Sequence, residues 1–475
     1  MKQTALLLLL ALSACDENLS HTPPPMDRFF FPGSLALTPV PSGNALAPVV
    51  GGNQALLVVS ANFDLRYDKE AGATLLSVDP AAAVAGGEGG SLGRSNGDLV
   101  KLGPGGRLGS YAGPVAVADV NTCKSLGGAA QAFVASRYTR KLYHFPIGAN
   151  GEVAPCQGGD CVLALDKDLL DPGPVSVACR DDGVRRSLWV SYLRAPYVSG
   201  IPPGTAWLSE FDLGDLAKVP RTIVLAPGPI GDMAYEKETD RLYAVGRFAG
   251  LTAPLFILDL TPCVYDPNDT SDPPACRTAN VQTVDLYQVV HGAELVGIAL
   301  SNPQAGRPRL AYISARIYDE AYAAATMSRP PFDVGGALLV VELQEAVSGE
   351  PLARVRQVVP IGLGAGMVRV LPVRPGLGDL VVVPSSGDGS LQVFDDEIHA
   401  ISRVVAIDGT TGAPEAGRVP FSMAVEDRGT EALVYVASFA DWTVSVLRVP
   451  MADPSSADLL RDPAGKPLRI GRQKQ

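Results

Sequence analysis

Histidine is scarce in this chain, and charge is thin. Only four histidines occur among 475 residues and none flanks a cysteine pair, so the usual nitrogen–sulfur zinc site lacks its ligands. Cys-x-x-Cys-His does not occur, which leaves attachment of a c-type haem unsupported. Charged residues make up 19%, and 39 basic against 50 acidic side chains give a formal balance of −11 with no basic run. That balance argues against nucleic acid and against adhesion to anionic lipid. Beyond the first residues, no apolar stretch approaches the roughly 20 residues that a membrane-spanning helix needs.

Glycine (50) and proline (40) are abundant instead, which favours many short strands and turns over helices. The N-terminus has its own layout. Met1-Lys2-Gln3-Thr4-Ala5 leads into an apolar run over residues 6–12 and then small residues, the order of an export signal. Leu12-Ser13-Ala14-Cys15 resembles the lipobox of bacterial lipoproteins. The resemblance implies cleavage before Cys15, diacylation of its thiol and acylation of the new amine. An ordinary secretory signal cut elsewhere is the alternative. Two or three acyl chains anchor far better than one, since each buried methylene contributes about 0.8 kcal/mol. Loss of Lys2 with the signal moves the formal balance from −11 to −12. Asp16 is similar to the inner-membrane retention signal of enteric bacteria, a rule that varies between lineages and leaves inner or outer membrane open. Residues 17–27, with Pro23, Pro24 and Pro25, read as a polar, stiffened tether.

With Cys15 assigned to lipid, six cysteines remain: Cys123, Cys156, Cys161, Cys179, Cys263 and Cys276. An even count in an exported chain suggests disulfides, and spacing alone does not choose among the connectivities. Local logic pairs Cys156 with Cys161 and Cys263 with Cys276, each closing a Gly-, Asp- or Pro-rich loop, and leaves Cys123 for Cys179.

A phrase recurs along the chain: Gly or Pro with a short apolar strand, then a Val-rich or aromatic strand ending in small residues, then a third apolar strand. Its seven occurrences begin at residues 32, 113, 173, 228, 295, 366 and 420. Three clear strands per unit imply a fourth, outer strand in the gaps, with residues 98–102, 221–225, 354–359 and 403–407 as candidates. Four-stranded units in a ring hide their sheet edges, as in a propeller. The last unit is the clearest: Tyr435-Val436-Ala437-Ser438 followed by Thr443-Val444-Ser445-Val446 resembles the YVTN-type β-propeller repeat. The expected architecture is all-β: a signal peptide over residues 1–14, a tether over 15–28 and a single seven-bladed β-propeller over 29–475. A pair of β-sandwiches is the structural alternative. In the ring, Cys123 and Cys179 lie just beyond the inner strands of adjacent blades, where a bridge becomes geometrically reasonable. Residues 29–31 or 467–470 are the candidates for ring closure.

Chemistry-bearing motifs are few. Gly89-Gly90-Ser91-Leu92-Gly93 matches a hydrolase elbow in letters only, in a glycine-rich loop without the strand–turn–helix that raises the serine. Gly362-Leu363-Gly364-Ala365-Gly366 lacks a following helix and reads as a blade connection rather than a phosphate loop. Asp266, Asn268, Asp269 and Asp272 lack the glycine and closing glutamate of an EF-hand and read as a solvated loop. His144, His291 and His399 are scattered singly. No cofactor and no metal is expected.

One positional pattern stands out. Arg137, Arg194, Arg247 and Arg316 follow the second strand of four consecutive blades, with Tyr138, Tyr192 and Tyr318 beside them. On one face they form a basic, aromatic arc suited to carboxylate, phosphate, glycan or protein surfaces; local pairing of each arginine is the plainer reading. Insertions at 195–205 and 319–334 fall on the same face. The functional expectation is a lipid-anchored cell-envelope propeller, at the periplasmic face or cell surface, binding an envelope protein or polysaccharide as a monomer or part of a complex. The alternative is a lactonase- or hydrolase-like enzyme using Asp119, Asp232 and Glu426 at the ends of inner strands. A structural lipoprotein without a partner is the third reading.

Overall fold

The computed structural model describes residues 22–38, 54–80, 101–118, 130–155, 161–163, 165, 174–181, 186–192, 206–214, 220–225, 228–247, 252–260, 281–319, 333–345, 351–406, 415–462 and 465–471. Within them the chain forms seven antiparallel sheets, each of strands consecutive in sequence. Blade 1 holds β1 (Pro32–Leu37), β2 (Leu56–Ser60), β3 (Ala73–Val78) and β4 (Lys101–Leu108). Blade 2 holds β5 (Ala112–Ala118), β6 (Gln131–Ser136), β7 (Lys141–Pro146) and β8 (Val162–Leu163). Blade 3 holds β9 (Pro174–Asp181), β10 (Arg186–Tyr192), β11 (Ala206–Asp212) and β12 (Arg221–Leu225). Blade 4 holds β13 (Ile230–Glu236), β14 (Arg241–Gly246), β15 (Pro254–Asp259) and β16 (Val281–Asp285). Blade 5 holds β17 (Ala293–Leu300), β18 (Arg309–Tyr318), β19 (Asp333–Glu345) and β20 (Pro351–Ile361). Blade 6 holds β21 (Arg369–Val370), β22 (Leu380–Ser385), β23 (Ser390–Asp395) and β24 (Ala400–Val405). Blade 7 holds β25 (Pro420–Asp427), β26 (Glu431–Ser438), β27 (Thr443–Pro450), β28 (Asp458–Leu459) and β29 (Arg469–Ile470).

Why the strands are apolar at consecutive positions is now clear. Each sheet is covered on both faces, so the usual in–out alternation becomes an alternation between two neighbours. In β26, Leu433, Tyr435 and Ala437 pack toward blade 1, whereas Ala432, Val434 and Val436 pack toward blade 6. In β22, Leu380 and Val382 face blade 7 while Val381 and Val383 face blade 5. Every pair of neighbouring blades shares its own apolar core, including blades 7 and 1. A pair of sandwiches has no such cycle; the fold is a seven-bladed β-propeller.

The ring closes through packing and an outer strand. Phe29 is fully buried between blades 7 and 1 with Leu35, Tyr435 and Ile470. Of the two expected closures, residues 467–470 supply the edge: β29 pairs with β27 through Val444↔Ile470 and Ser445↔Arg469. Phe29 and Phe30 are core plugs instead. Around the centre, polar side chains of one inner strand take backbone donors of the next. The Leu35 amide donates to Ser422 Oγ (3.2 Å), Val115 to Ser34 Oγ (2.9 Å) and Ile298 to Asp232 Oδ2 (3.1 Å).

The expected strands differ in detail. The inner strand of blade 6 is only β21, preceded by an isolated bridge from Ala365 to Ser385. Outer strands β8, β16 and β28 carry no repeat signal strong enough to be read from the sequence. Cys179 corrects another expectation. It lies inside β9, opposite Leu188, and packs against the apolar core between blades 2 and 3. That places it within the inner strand rather than just beyond it. Cys123, Cys156, Cys263 and Cys276 lie outside the described residues, as does Cys15; Cys161 packs on the core between blades 1 and 2.

Candidate functional site

The turns joining the second and third strands of the blades share a face with the residues that lead into the inner strands. A backbone device recurs there. A residue ahead of the inner strand adopts positive φ, and its carbonyl accepts an amide at the end of the second strand. In blade 5 the residue is Gly292 (φ 73°), accepting from Tyr318 (2.9 Å); in blade 6 it is Gly364 (φ 69°), accepting from Ser386 (2.8 Å). Glycine suits this position because no Cβ meets the carbonyl. Blades 1, 2 and 7 place bulky residues there: Phe31 (φ 45°), Tyr111 (φ 54°) and Val419 (φ 56°). Their carbonyls accept from Ala61 (3.1 Å), Arg137 (3.3 Å) and Phe439 (3.1 Å). A left-handed non-glycine residue costs of order 1 kcal/mol, and such strain concentrates at functional sites.

Those three neighbouring blades carry a continuous aromatic cluster. Trp442 and Phe439, in the turn between β26 and β27, lie 5.4 and 5.1 Å from Phe31, centroid to centroid. Phe63, in the loop between β2 and β3, lies 5.5 Å from both Phe439 and Tyr111. Tyr111 lies 6.2 Å from Tyr138, in the turn between β6 and β7. Two guanidinium groups cover the run: Arg66 is 5.5 Å from the Trp442 ring and Arg137 is 5.9 Å from Tyr111, both cation–π distances. Phe63 is 52% exposed and Tyr138 37%. An apolar surface of this kind marks an interaction site more often than a single exposed ring does.

The arginine arc expected from the sequence therefore divides. Arg137 and Tyr138 belong to the aromatic cluster. Arg247 is committed to Glu294 of blade 5, through Nε at 3.1 Å and a second nitrogen at 3.0 Å. Arg316 Nε donates to the Ala365 carbonyl at 3.1 Å, joining blade 5 to blade 6. Tyr192 is fully buried in β10 and donates to Ser209 Oγ at 2.8 Å, and Tyr318 is buried at the end of β18. Arg194 and the stretches 195–205 and 320–332 lie outside the described residues. Sequence reading missed Phe31, Phe63, Tyr111, Phe439 and Trp442. Phe31 and Tyr111 occupy the positive-φ position where blades 5 and 6 use glycine, a correspondence that the backbone register reveals.

The acids offered for an enzyme are occupied. Asp232 bridges blades 3 and 5, accepting from Ser176 Oγ (3.1 Å) and the Ile298 amide (3.1 Å). Burial pushes its carboxyl above the ordinary range, against the opposing pull of Arg369. Glu426 accepts from the Tyr435 hydroxyl (2.5 Å) and Arg428 Nε (3.0 Å), a brace within blade 7. Burial and then the Glu426 charge raise the Tyr435 hydroxyl in turn. Asp119 lies outside the described residues. The glycine-rich stretch 362–366 connects blades 5 and 6 as expected. Its amides at Leu363 and Gly364 are taken by the carboxylates of Asp388 and Asp333, the groups that would repel a phosphate. Among the described residues no cluster of three or more metal-ligating side chains occurs.

A second surface lies at the outer strands of blades 5 and 6. Between blades 5 and 6 a groove of about 420 Å³ is lined by Pro360, Ile361, Gln392, Ile401 and Val404. Val358, Leu363, Ile398 and Val404 are exposed on β20, β24 and the connections beside them.

No protein-family model matches the chain, and no curated protein sequence matches it. Solved structures do match in shape. Sqt1 from Chaetomium thermophilum is 14% identical, over 95% of this chain and 89% of that one, with a TM-score of 0.49. The dihydro-heme d1 dehydrogenase NirN in complex with DHE is 12% identical with a TM-score of 0.46; the match covers 89% of this chain but 65% of NirN. A chain of the mitotic checkpoint complex is 11% identical, over 92% of this chain and 94% of that one, with a TM-score of 0.45. The propeller assignment rests on the seven sheets and the closed cycle of cores between them.

Proposed function

We propose that this protein is a lipid-anchored scaffold of the bacterial cell envelope, tethered through Cys15 and binding an envelope protein or polysaccharide. The observation that carries the scaffold reading is the pair of exposed apolar surfaces on different blades of one rigid ring: the aromatic cluster over blades 7, 1 and 2, and the groove between blades 5 and 6. A scaffold needs one surface that fixes it and another that takes its partner. Interlocked cores between all neighbouring blades hold the two at a constant separation. The enzyme alternative has less support, because Asp232 and Glu426 are buried in structural hydrogen bonds. The lipobox at Leu12-Ser13-Ala14-Cys15 supports the anchor.

Photo-crosslinking in intact cells tests this reading, with the reactive side chain placed at Val404 or at Phe63. One dominant envelope partner captured from Val404 and lost on Ile401→Asp is the expected result. Diffuse neighbours that are the same for both positions would contradict it.

A further inference from the structure

We propose that the aromatic cluster over blades 7, 1 and 2 is a membrane-docking surface that seats its exposed rings and arginines in the headgroup layer of the bilayer. This deepens the scaffold reading above and rests on its lipid anchor, because it assigns the fixing role to that face.

The argument begins with where the described chain ends. The Thr22 carbonyl accepts the Asp68 amide at 3.0 Å, and Asp68 lies in the loop between β2 and β3. That loop also supplies Phe63 and Arg66. The chain therefore leaves the propeller beside the aromatic cluster, on its face. Only seven peptide steps separate Thr22 from Cys15. Fully extended, they reach about 25 Å at most. A lipid on Cys15 thus holds this face near the bilayer, and the short tether makes any second contact effectively intramolecular.

The composition of the face suits that neighbour. Aromatic side chains with an apolar body favour the membrane–water interface, and arginine reaches the phosphate level from an apolar stem. Phe63 and Tyr138 are exposed, and Arg66 and Arg137 lie over Trp442 and Tyr111. The turn over residues 137–141 adds Arg140 and Lys141 and contains no acid, on a chain whose overall balance is −11. In the adjoining loop, Asp64, Asp68 and Glu70 offset Arg66 and Lys69. The cationic side of the face therefore lies over blade 2. The chain's acidity works against adhesion to anionic lipid as a whole, and these side chains make a local exception to it.

The test uses the chain from Asp16 to Gln475 without lipid, mixed with vesicles of phosphatidylcholine alone or with phosphatidylglycerol added. Trp442 is the probe, since Trp189 and Trp207 are buried in blade 3. Quenching by brominated lipid is expected to act on Trp442, to strengthen with phosphatidylglycerol, and to weaken about tenfold in Phe63→Ser/Arg66→Glu, the loss expected from one buried ring and one reversed charge. Phe63 is half exposed, so unchanged thermal unfolding of the variant would exclude a folding defect. No vesicle binding, binding equal in the variant, or capture of a soluble polysaccharide by the cluster in preference to vesicles would overturn the proposal. Acylation of Cys15, read from the N-terminal mass, and crosslinking from Val404 report on the scaffold reading separately.

Discussion

The Arg66 guanidinium lies 5.5 Å from the centre of the Trp442 ring, across the seam where blade 1 meets blade 7. The two residues are far apart in sequence, and only closure of the ring brings them together. The same seam holds Phe29, the outer strand β29 and the exit of the chain toward Cys15. The weakest topological point of a ring is therefore where this protein concentrates its exposed aromatic side chains.

Strain at the cluster is measurable. Val419 is β-branched, holds φ at 56° and is 37% exposed, so its side chain makes little compensating contact. Val419→Gly is expected to raise stability by up to about 1 kcal/mol, since relief of the left-handed penalty exceeds the added chain entropy. Thermal unfolding measures it. A loss of stability would mean that the Val419 side chain packs usefully in the native state.

Blades 3 and 4 are joined by a buried arginine. Arg180 is 1% exposed; its Nε donates to Asp240 Oδ1 at 2.8 Å, and another nitrogen reaches Asp240 Oδ2 at 2.5 Å. Asp240→Asn keeps the shape and removes the charge, and Asn tolerates the positive φ of this turn. It is expected to lower unfolding stability by roughly 3 kcal/mol, because it takes one carboxylate from a buried arginine that also pairs with Glu210. Denaturant titration checks this, and Arg180→Met in the same background should recover part of the loss.

Acid should loosen the closing seam first. Asp441 accepts from the Arg418 amide and from the guanidinium groups of Arg418 and Arg469. Burial pushes its carboxyl up, but these donors outweigh burial and hold it below the ordinary carboxylate range. The folded state therefore gains stability above the ordinary aspartate value of about 4 and loses it as the pH falls toward the depressed one. Unfolding measured from neutral to acid pH should show this loss in the native protein and a shallower one in Asp441→Asn. Equal slopes would contradict the assignment.

The fold was legible in the sequence because each blade repeats one apolar phrase, and Tyr435-Val436-Ala437-Ser438 with Thr443-Val444-Ser445-Val446 repeats it most clearly. Outer strands such as Val162–Leu163 and Asp458–Leu459 were not legible: they are two residues long and only edge-paired, so packing imposes little pattern on them. The site was half legible. Arg137 and Tyr138 follow the second strand as the repeat suggests, but the identical placement of Arg247 and Arg316 ends in inter-blade contacts. Which arginine meets an acid depends on the neighbouring blade, as Glu294 shows for Arg247. Phe31 and Tyr111 became legible only when backbone register set them beside Gly292 and Gly364.

The most direct test of the anchored, membrane-facing propeller uses the lipidated protein on vesicles. A polarity-sensitive fluorophore is attached at Phe63→Cys or at Val404→Cys, and quenching by headgroup-labelled lipid is compared. Strong quenching at position 63 with little at position 404 is the expected result. Equal quenching at both, or stronger quenching at 404, would contradict the account.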